Sequence, residues 1–318
     1  MAESSAFKTL NDKDVVSTRT LLHEAIPITG TIVSGTYSDN NIKNPAHGMF
    51  QSVYDYPYLS SSANHIFDIT VGISTAAGSL HLATTVQQTK KKNIYNQMAQ
   101  VLVGYDHTGS ILHFDEDGNI LAGGTKHEDV FVLPFSRLLV KDEIKKGTFS
   151  MTLGTHNTYT TPFGSTVTIT DASGSDGFFV NSPVGEYGIL FDDSNNKVGL
   201  LYYQAGIAVL KKDTFGSSVQ LTSDATTRDN TFKTKTIQQI SDGFRNRLQN
   251  VQFNNTTELN STIYFCRANH QEFNYSTNPT YTNASKIRVK TNSTDEPIAY
   301  ITTIGLYNDR NELMATAK

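Results

Sequence analysis

The sequence predicts a mainly β protein with a few helices: an α+β chain whose core is an antiparallel β-sandwich or barrel-like sheet with one or two amphipathic helices packed on it. Three observations lead there. Charged residues make up only 18% of the chain, while Thr, Ser, Asn, Gly and Tyr are abundant and Trp is absent, a mixture that suits sheets and turns. Between residues 105 and 222 the text breaks into short β-branched and aromatic runs separated by turn residues, the spacing of an antiparallel sandwich or barrel. Helical periodicity is pronounced in only two places, after residue 90 and after residue 236.

At 318 residues the chain can bury a sizeable core without staples, and the composition divides it into 1–104 (mixed α/β), 105–235 (antiparallel β) and 236–318 (a helix plus a final β unit). Net charge is −4 and the isoelectric point near 6.1, which argues against a protein that works by neutralising phosphates. A single cysteine, Cys266, excludes an intrachain disulfide and reads as a small buried strand residue. The N-terminus lacks the pattern of a signal peptide, and no run is apolar enough for a membrane span, so the expected site of folding is the cytoplasm. On that expectation the six N-x-S/T sequons between Asn254 and Asn292 read as strand and turn composition, not glycosylation sites.

In chain order, Ser17 or Thr18 can cap a short helix through Leu21, Leu22 and Ala25, closed by Pro27. From Ile28 to Tyr37 the text is strand-like. Phe50, Tyr54, Tyr56 and Tyr58 crowd into nine residues, either packed under a neighbouring element or exposed as a subunit interface, since tyrosine provides area with a polar tip. Ile66–Ile73 reads as a strand. The triplet Lys90 to Lys92 reads as a solvated lead-in to a helix that carries Ile94, Met98, Val101 and Leu102 on one face.

Beyond Tyr105, Ser110–Phe114 and Asn119–Ala122 read as a hairpin joined by Asp115-Glu116-Asp117-Gly118. The joint has the acidic alternation of a calcium loop, but its glycine comes too early and Lys126 stands where the closing acid belongs, so no metal is expected. Asp129–Phe135 is a buried strand, Ser136 onward an Arg-anchored strand, and Asp142 caps a turn that Gly147 ends before the strand Ser150–Leu153. Thr166–Thr170 alternates cleanly. Tyr187–Phe191 and Lys197–Tyr203 flank an acidic turn, and Ala205–Leu210 follows.

Thr236–Asn250 places Ile237, Ile240, Phe244 and Leu248 on one stripe and Asp242, Arg245, Arg247 and Asn250 elsewhere, a surface helix docked on a sheet. The last β unit holds Thr262–Ala268, Ile287–Val289, Tyr300–Tyr307 and Leu313–Ala317. Tyr300–Tyr307 carries apolar residues at both parities, so both faces of this terminal hairpin are expected to be covered. A long loop, Asn269–Asn283, contains Phe273, Tyr275 and Tyr281, which join the four earlier aromatics as candidate interface residues.

No constellation of catalytic type stands out. A Gly-rich phosphate loop, H-E-x-x-H, G-x-S-x-G and a Cys/His cluster are all missing. His113 with Asp115, and the run His127-Glu128-Asp129, read as solvated surface residues. No catalytic residue, metal ligand or cofactor is therefore assigned, and paired carboxylates of a glycosidase are the enzyme reading least open to exclusion from sequence.

Three segments resemble virion structural proteins of contractile-tailed bacteriophages: T-T-I-G-L-Y-N-D-R-N-E-L-M-A-T-A-K at the C-terminus, D-E-I-K-K-G-T-F-S after Ser136, and E-F-N-Y-S-T-N-P-T-Y in the aromatic loop. S-T-R-T-L-L-H-E-A-I-P is a weaker likeness. The resemblance implies a multicopy, non-enzymatic part of the tail or baseplate region. It would be found in the virion after assembly in the host cytoplasm, its partners other virion proteins and copies of itself, with no nucleic acid, membrane or small-molecule substrate. A receptor- or glycan-binding tail-fibre module and a β-sandwich glycan hydrolase are the alternatives.

Overall fold

The computed structural model describes all residues except 1–7, 29–38, 77–79, 81–84, 121–122, 268–278, 281, 284–285 and 288–300. The described strands are β1 (Val15–Pro27), β2 (Ile42–Lys43), β3 (Gln51–Tyr54), β4 (His65–Ile73), β5 (Phe114–Asp115), β6 (Lys126–His127), β7 (Asp129–Pro134), β8 (Glu143–Ile144), β9 (Ser150–Gly154) and β10 (Thr166–Thr170). They continue with β11 (Phe179–Ser182), β12 (Gly185–Phe191), β13 (Lys197–Tyr202), β14 (Ile207–Lys211), β15 (Leu248–Tyr264), β16 (Thr282–Asn283), β17 (Lys286–Ile287), β18 (Ile304–Tyr307) and β19 (Leu313–Ala317). Helices are α1 (Val86–Leu102), α2 (Arg137–Val140), α3 (Arg228–Thr234) and α4 (Ile237–Arg247). The expected mainly β, α+β class with a large antiparallel sheet is what the chain adopts.

Two compact units form, one from residues 19–259 and one from 1–18 with 260–318. The divisions expected near residues 104 and 235 both fall inside the larger unit. Strands β1 and β15 each have residues in both units.

Thirteen described strands join in one sheet, in the order β1-β15-β9-β10-β12-β13-β14-β7-β4-β3-β2, with β8 on β15 and β11 on β12. Between β10 and β12 the paired register is a single position, Thr170 with Phe191, and residues on the two sides of this junction, Met151 and Ile169 on one and Val71 and Phe131 on the other, share one buried cluster. Across the five middle strands, registers align Val71, Phe131, Leu210, Gly199 and Leu190 in one row. The next row holds Thr70, Val132, Val209, Leu200 and Ile189. Successive residues of a strand face opposite ways, so apolar residues in both rows require cover on both faces.

Each face has its own core. Phe131 faces the first, its ring centroid 5.7, 5.1 and 4.9 Å from those of Phe215, Phe232 and Phe244. Met151, Leu153, Ile169, Val251 and Phe253 of β9, β10 and β15 complete that core with α3 and α4. Val132, Val209, Leu200 and Tyr202 face the second, closed by Tyr95, Ala99 and Leu102 of α1 and by Phe114. Helix α1 lies so close to β4 that a Cβ on Gly72 would stand 3.0 Å from the Cα and Cβ of Tyr95, closer than ordinary van der Waals contact permits.

Several local expectations are corrected. Residues 15–27 form strand β1 and not a capped helix: hydrogen bonds to β15 satisfy an exposed, β-branched segment that has no apolar helical stripe. Arg137–Val140 is a helical turn where an Arg-anchored strand was expected. The partner of β5 is β6, so the hairpin closes on Lys126–His127, while Ala122 lies outside the described residues. The lysine triplet is inside α1, with Lys91 fully buried: its ammonium donates to the carbonyls of Phe232 (2.6 Å) and Lys235 (2.8 Å), closing the C-terminal end of α3. Burial lowers Lys91 to about 8, against the opposing charge of Asp129. Val101, expected on the inner face, is exposed and Tyr95 takes the core position.

Helix α4 begins at the expected place, where Thr236 and Gln239 form a capping box, but it ends at Arg247, and Leu248 already belongs to β15. Arg245 and Arg247, expected on the solvent side, are buried. Cys266, expected in the interior, is exposed.

Candidate functional site

The β3–β4 connection is built around Asp55. Its carboxylate accepts from the backbone N–H of Tyr56 (2.8 Å) and of Asn64 (2.6 Å) and from the Asn64 amide (2.9 Å). Asn41 ties the same corner down from outside, donating to the carbonyls of Tyr54 and Asp55, both at 3.2 Å. A loop this fully bonded holds its aromatic side chains at little further entropic cost. Tyr54 stands 6.3 Å from Tyr58 and 5.7 Å from the ring of His65, whose Nε2 is 2.8 Å from Asp68. Tyr56 and Tyr58 remain 39% and 38% exposed, and Leu59 84%. Phe50 packs instead on His47, 5.1 Å away. Three of the four expected aromatics thus lie on one rigid corner of the larger unit; Phe273, Tyr275 and Tyr281 lie outside the described residues.

In the smaller unit, β18 and β19 pair antiparallel, Ile304 with Ala317, Leu306 with Ala315 and, after a register shift, Tyr307 with Leu313. Asn308 closes the turn, its side-chain oxygen accepting from the N–H of Arg310 (3.0 Å) and Glu312 (2.8 Å). The expectation that both faces are covered is not met by the described residues. Ile301, Ile304, Tyr307, Leu313 and Met314 are 66, 38, 48, 53 and 69% exposed. The apolar pattern was read correctly, but burial requires a facing element, and the described chain provides none there. Val16, Ile263 and Phe265 of the same unit are also open to solvent.

The acidic and histidine residues form a third cluster, in the larger unit. Asp115, His127 and Asp129, expected on the surface, are 3, 2 and 2% exposed. Three consecutive acids each hold a lysine from a different strand: Asp115 pairs with Lys126 of β6, Glu116 with Lys211 of β14 at 3.1 Å, and Asp117 with Lys197 of β13. Ammonium groups therefore take the places that a cation would occupy in a calcium loop, and among the described residues no group of three or more His, Cys, Asp or Glu is arranged to hold a metal.

Glu128 accepts from Ser74 and pairs with His113 Nδ1 at 2.8 Å, both through the same Oε2. A nucleophile and its base would bond to each other, whereas here hydroxyl and imidazole share one acceptor. Burial alone would raise Glu128, but the bonds from His113 and Ser74 outweigh it and hold the carboxyl below its usual range. Nothing in the sequence pattern signalled this pairing, because Ser74 and Glu128 meet only through the β4–β7 register.

Family models, curated proteins and solved structures all lack a match to this chain.

Proposed function

We propose that the chain is a non-enzymatic structural subunit of a tailed-phage virion, of the tail or baseplate region, working through interfaces with copies of itself and with other virion proteins. The observation that carries the reading is the C-terminal hairpin. It is a two-stranded element with large apolar side chains uncovered in the described chain, and such a hairpin is marginal in water until something packs against it. The rigid tyrosine corner at Tyr54, Tyr56 and Tyr58 supports the same reading, since preorganised aromatics suit protein interfaces. The resemblance of the hairpin and of residues 142–150 to phage tail proteins gives the assembly its kind.

Cryo-electron microscopy of the parent particle tests this. The expected result is density for the chain in many copies, with Ile304, Leu313 and Met314 buried against neighbouring subunits. A chain absent from the particle, or present with that hairpin facing solvent on all sides, overturns the reading.

A further inference from the structure

We propose that the β5–β6 hairpin is an acid-sensitive clamp on the larger unit: protonation of His127 releases β5, β6 and the turn at Glu116–Gly118 while the rest of the unit stays folded.

The geometry carries the argument. His127 is 2% exposed, and its Nε2 is buried without a hydrogen-bond partner. An imidazolium there would place a charged N–H where nothing accepts it, so the charged ring is stable only once it leaves the site. Groups facing the ring come from every side: Asp115 and Glu116 from β5 and its turn, Lys211 from β14, and Asp213 beyond it. Tyr95 of α1 donates its hydroxyl to the His127 carbonyl at 2.9 Å. The acids offset a new positive charge only in part, because each already faces a cation: Asp115 pairs with Lys126, Glu116 with Lys211, Asp213 with Lys212 and Arg228. Burial first, then Lys211, lowers His127 to about 4.

The remainder of the clamp is short. Strands β5 and β6 are two residues each, paired through Phe114 with His127 and Asp115 with Lys126. Beyond the lysine pairs, the turn is held at the Gly118 carbonyl, which accepts from Asn181 (3.0 Å) and Tyr187 (2.8 Å). Few bonds therefore oppose local opening, and opening would uncover Phe114 and the Tyr95 ring it packs on, 5.3 Å apart.

Hydrogen–deuterium exchange of peptides covering 110–130, corrected for intrinsic rate, tests the clamp near pH 7.5 and near pH 5, above the ordinary carboxylate range. With folded and ordinary values of about 4 and 6.5, the opening equilibrium should rise about 30-fold between the two conditions, with peptides of β7, β13 and β14 unchanged. His127→Gln, which cannot ionise, should abolish that rise, and His113→Gln should retain it. Exchange that is independent of pH, that rises equally in His127→Gln, or that rises only together with β7, β13 and β14 overturns the proposal. Should His127→Gln fail to fold, the imidazole resonances of the unaltered chain decide: titration near 6.5 with β5 and β6 still protected overturns it, and titration accompanied by loss of that protection supports it.

Discussion

The guanidinium of Arg247 donates to the main-chain oxygen of Gln220 at 2.8 Å, inside the protein. The same side chain reaches the carbonyls of Gly154 (3.0 Å) and His156 (2.7 Å), so one residue at the end of α4 binds β9, the segment after it and the approach to α3. Burial lowers Arg247 to about 10, leaving it charged at neutral pH.

Replacing Arg247 by Met keeps the length but removes every donor. The buried carbonyl of Gly154 and the part-buried carbonyls of His156 and Gln220 lose a charged partner, so a loss of about 3–5 kcal/mol in urea-denaturation stability is expected. Arg247→Lys should recover less than half, because a single ammonium cannot match the planar fork.

Gly72→Ala tests the contact between α1 and β4. The added methyl would stand 3.0 Å from Tyr95, and neither a strand in mid-sheet nor a helix backbone yields easily. A cost of about 1–3 kcal/mol is expected, read as a lower midpoint of thermal unfolding. An unchanged midpoint would mean that α1 is free to lift away.

Two buried groups tilt stability in opposite directions over one pH range. His127, lowered to about 4, contributes stability that is complete above 6.5 and is lost as pH falls toward 4. Asp171 accepts from the N–H of Gly147 (2.7 Å) and Phe149 (2.9 Å), yet burial still pushes it up to about 6. Its contribution is complete below 3.8 and is lost as pH rises through 6. Each is worth roughly 3 kcal/mol, so unfolding free energy measured from pH 4 to 6 should vary less than either group alone would make it. His127→Gln should tilt the profile toward acid stability and Asp171→Asn toward neutral stability.

Leu313→Asp with Met314→Asp separates assembly from folding. Both side chains are more than half exposed, so stability of the isolated chain should move by less than about 0.5 kcal/mol. Incorporation into particles, followed by complementation with the altered chain, should be lost. Normal incorporation would remove the hairpin from the interface.

Much of the fold was legible because strand periodicity is local. The runs at 66–73, 129–135, 150–153, 166–170, 187–191 and 197–203 are all strands in the structure, within a residue or two at their ends. The stripe of Ile237, Ile240 and Phe244 was enough to announce α4. The candidate interface was half legible: tyrosine density marked the corner at Tyr54–Tyr58, but the Asp55 and Asn41 bonds that make it rigid join residues the sequence does not place together.

By itself, then, the sequence determined the class of fold, the position of most strands and the apolar character of the terminal hairpin, since each follows from residues within a few positions of one another. Only the tertiary structure decided which polar residues are interior. Lys91, Arg247, His127 and Asp129 sit in stretches that read as solvated; Lys91, Arg247 and Asp129 are buried where distant carbonyls or opposite charges meet them, and His127 is carried inward by the β5–β6 pairing. Leu313 and Met314 read as core and lie open among the described residues, for the complementary reason. Burial belongs to a pair of surfaces, and the sequence writes down one surface at a time.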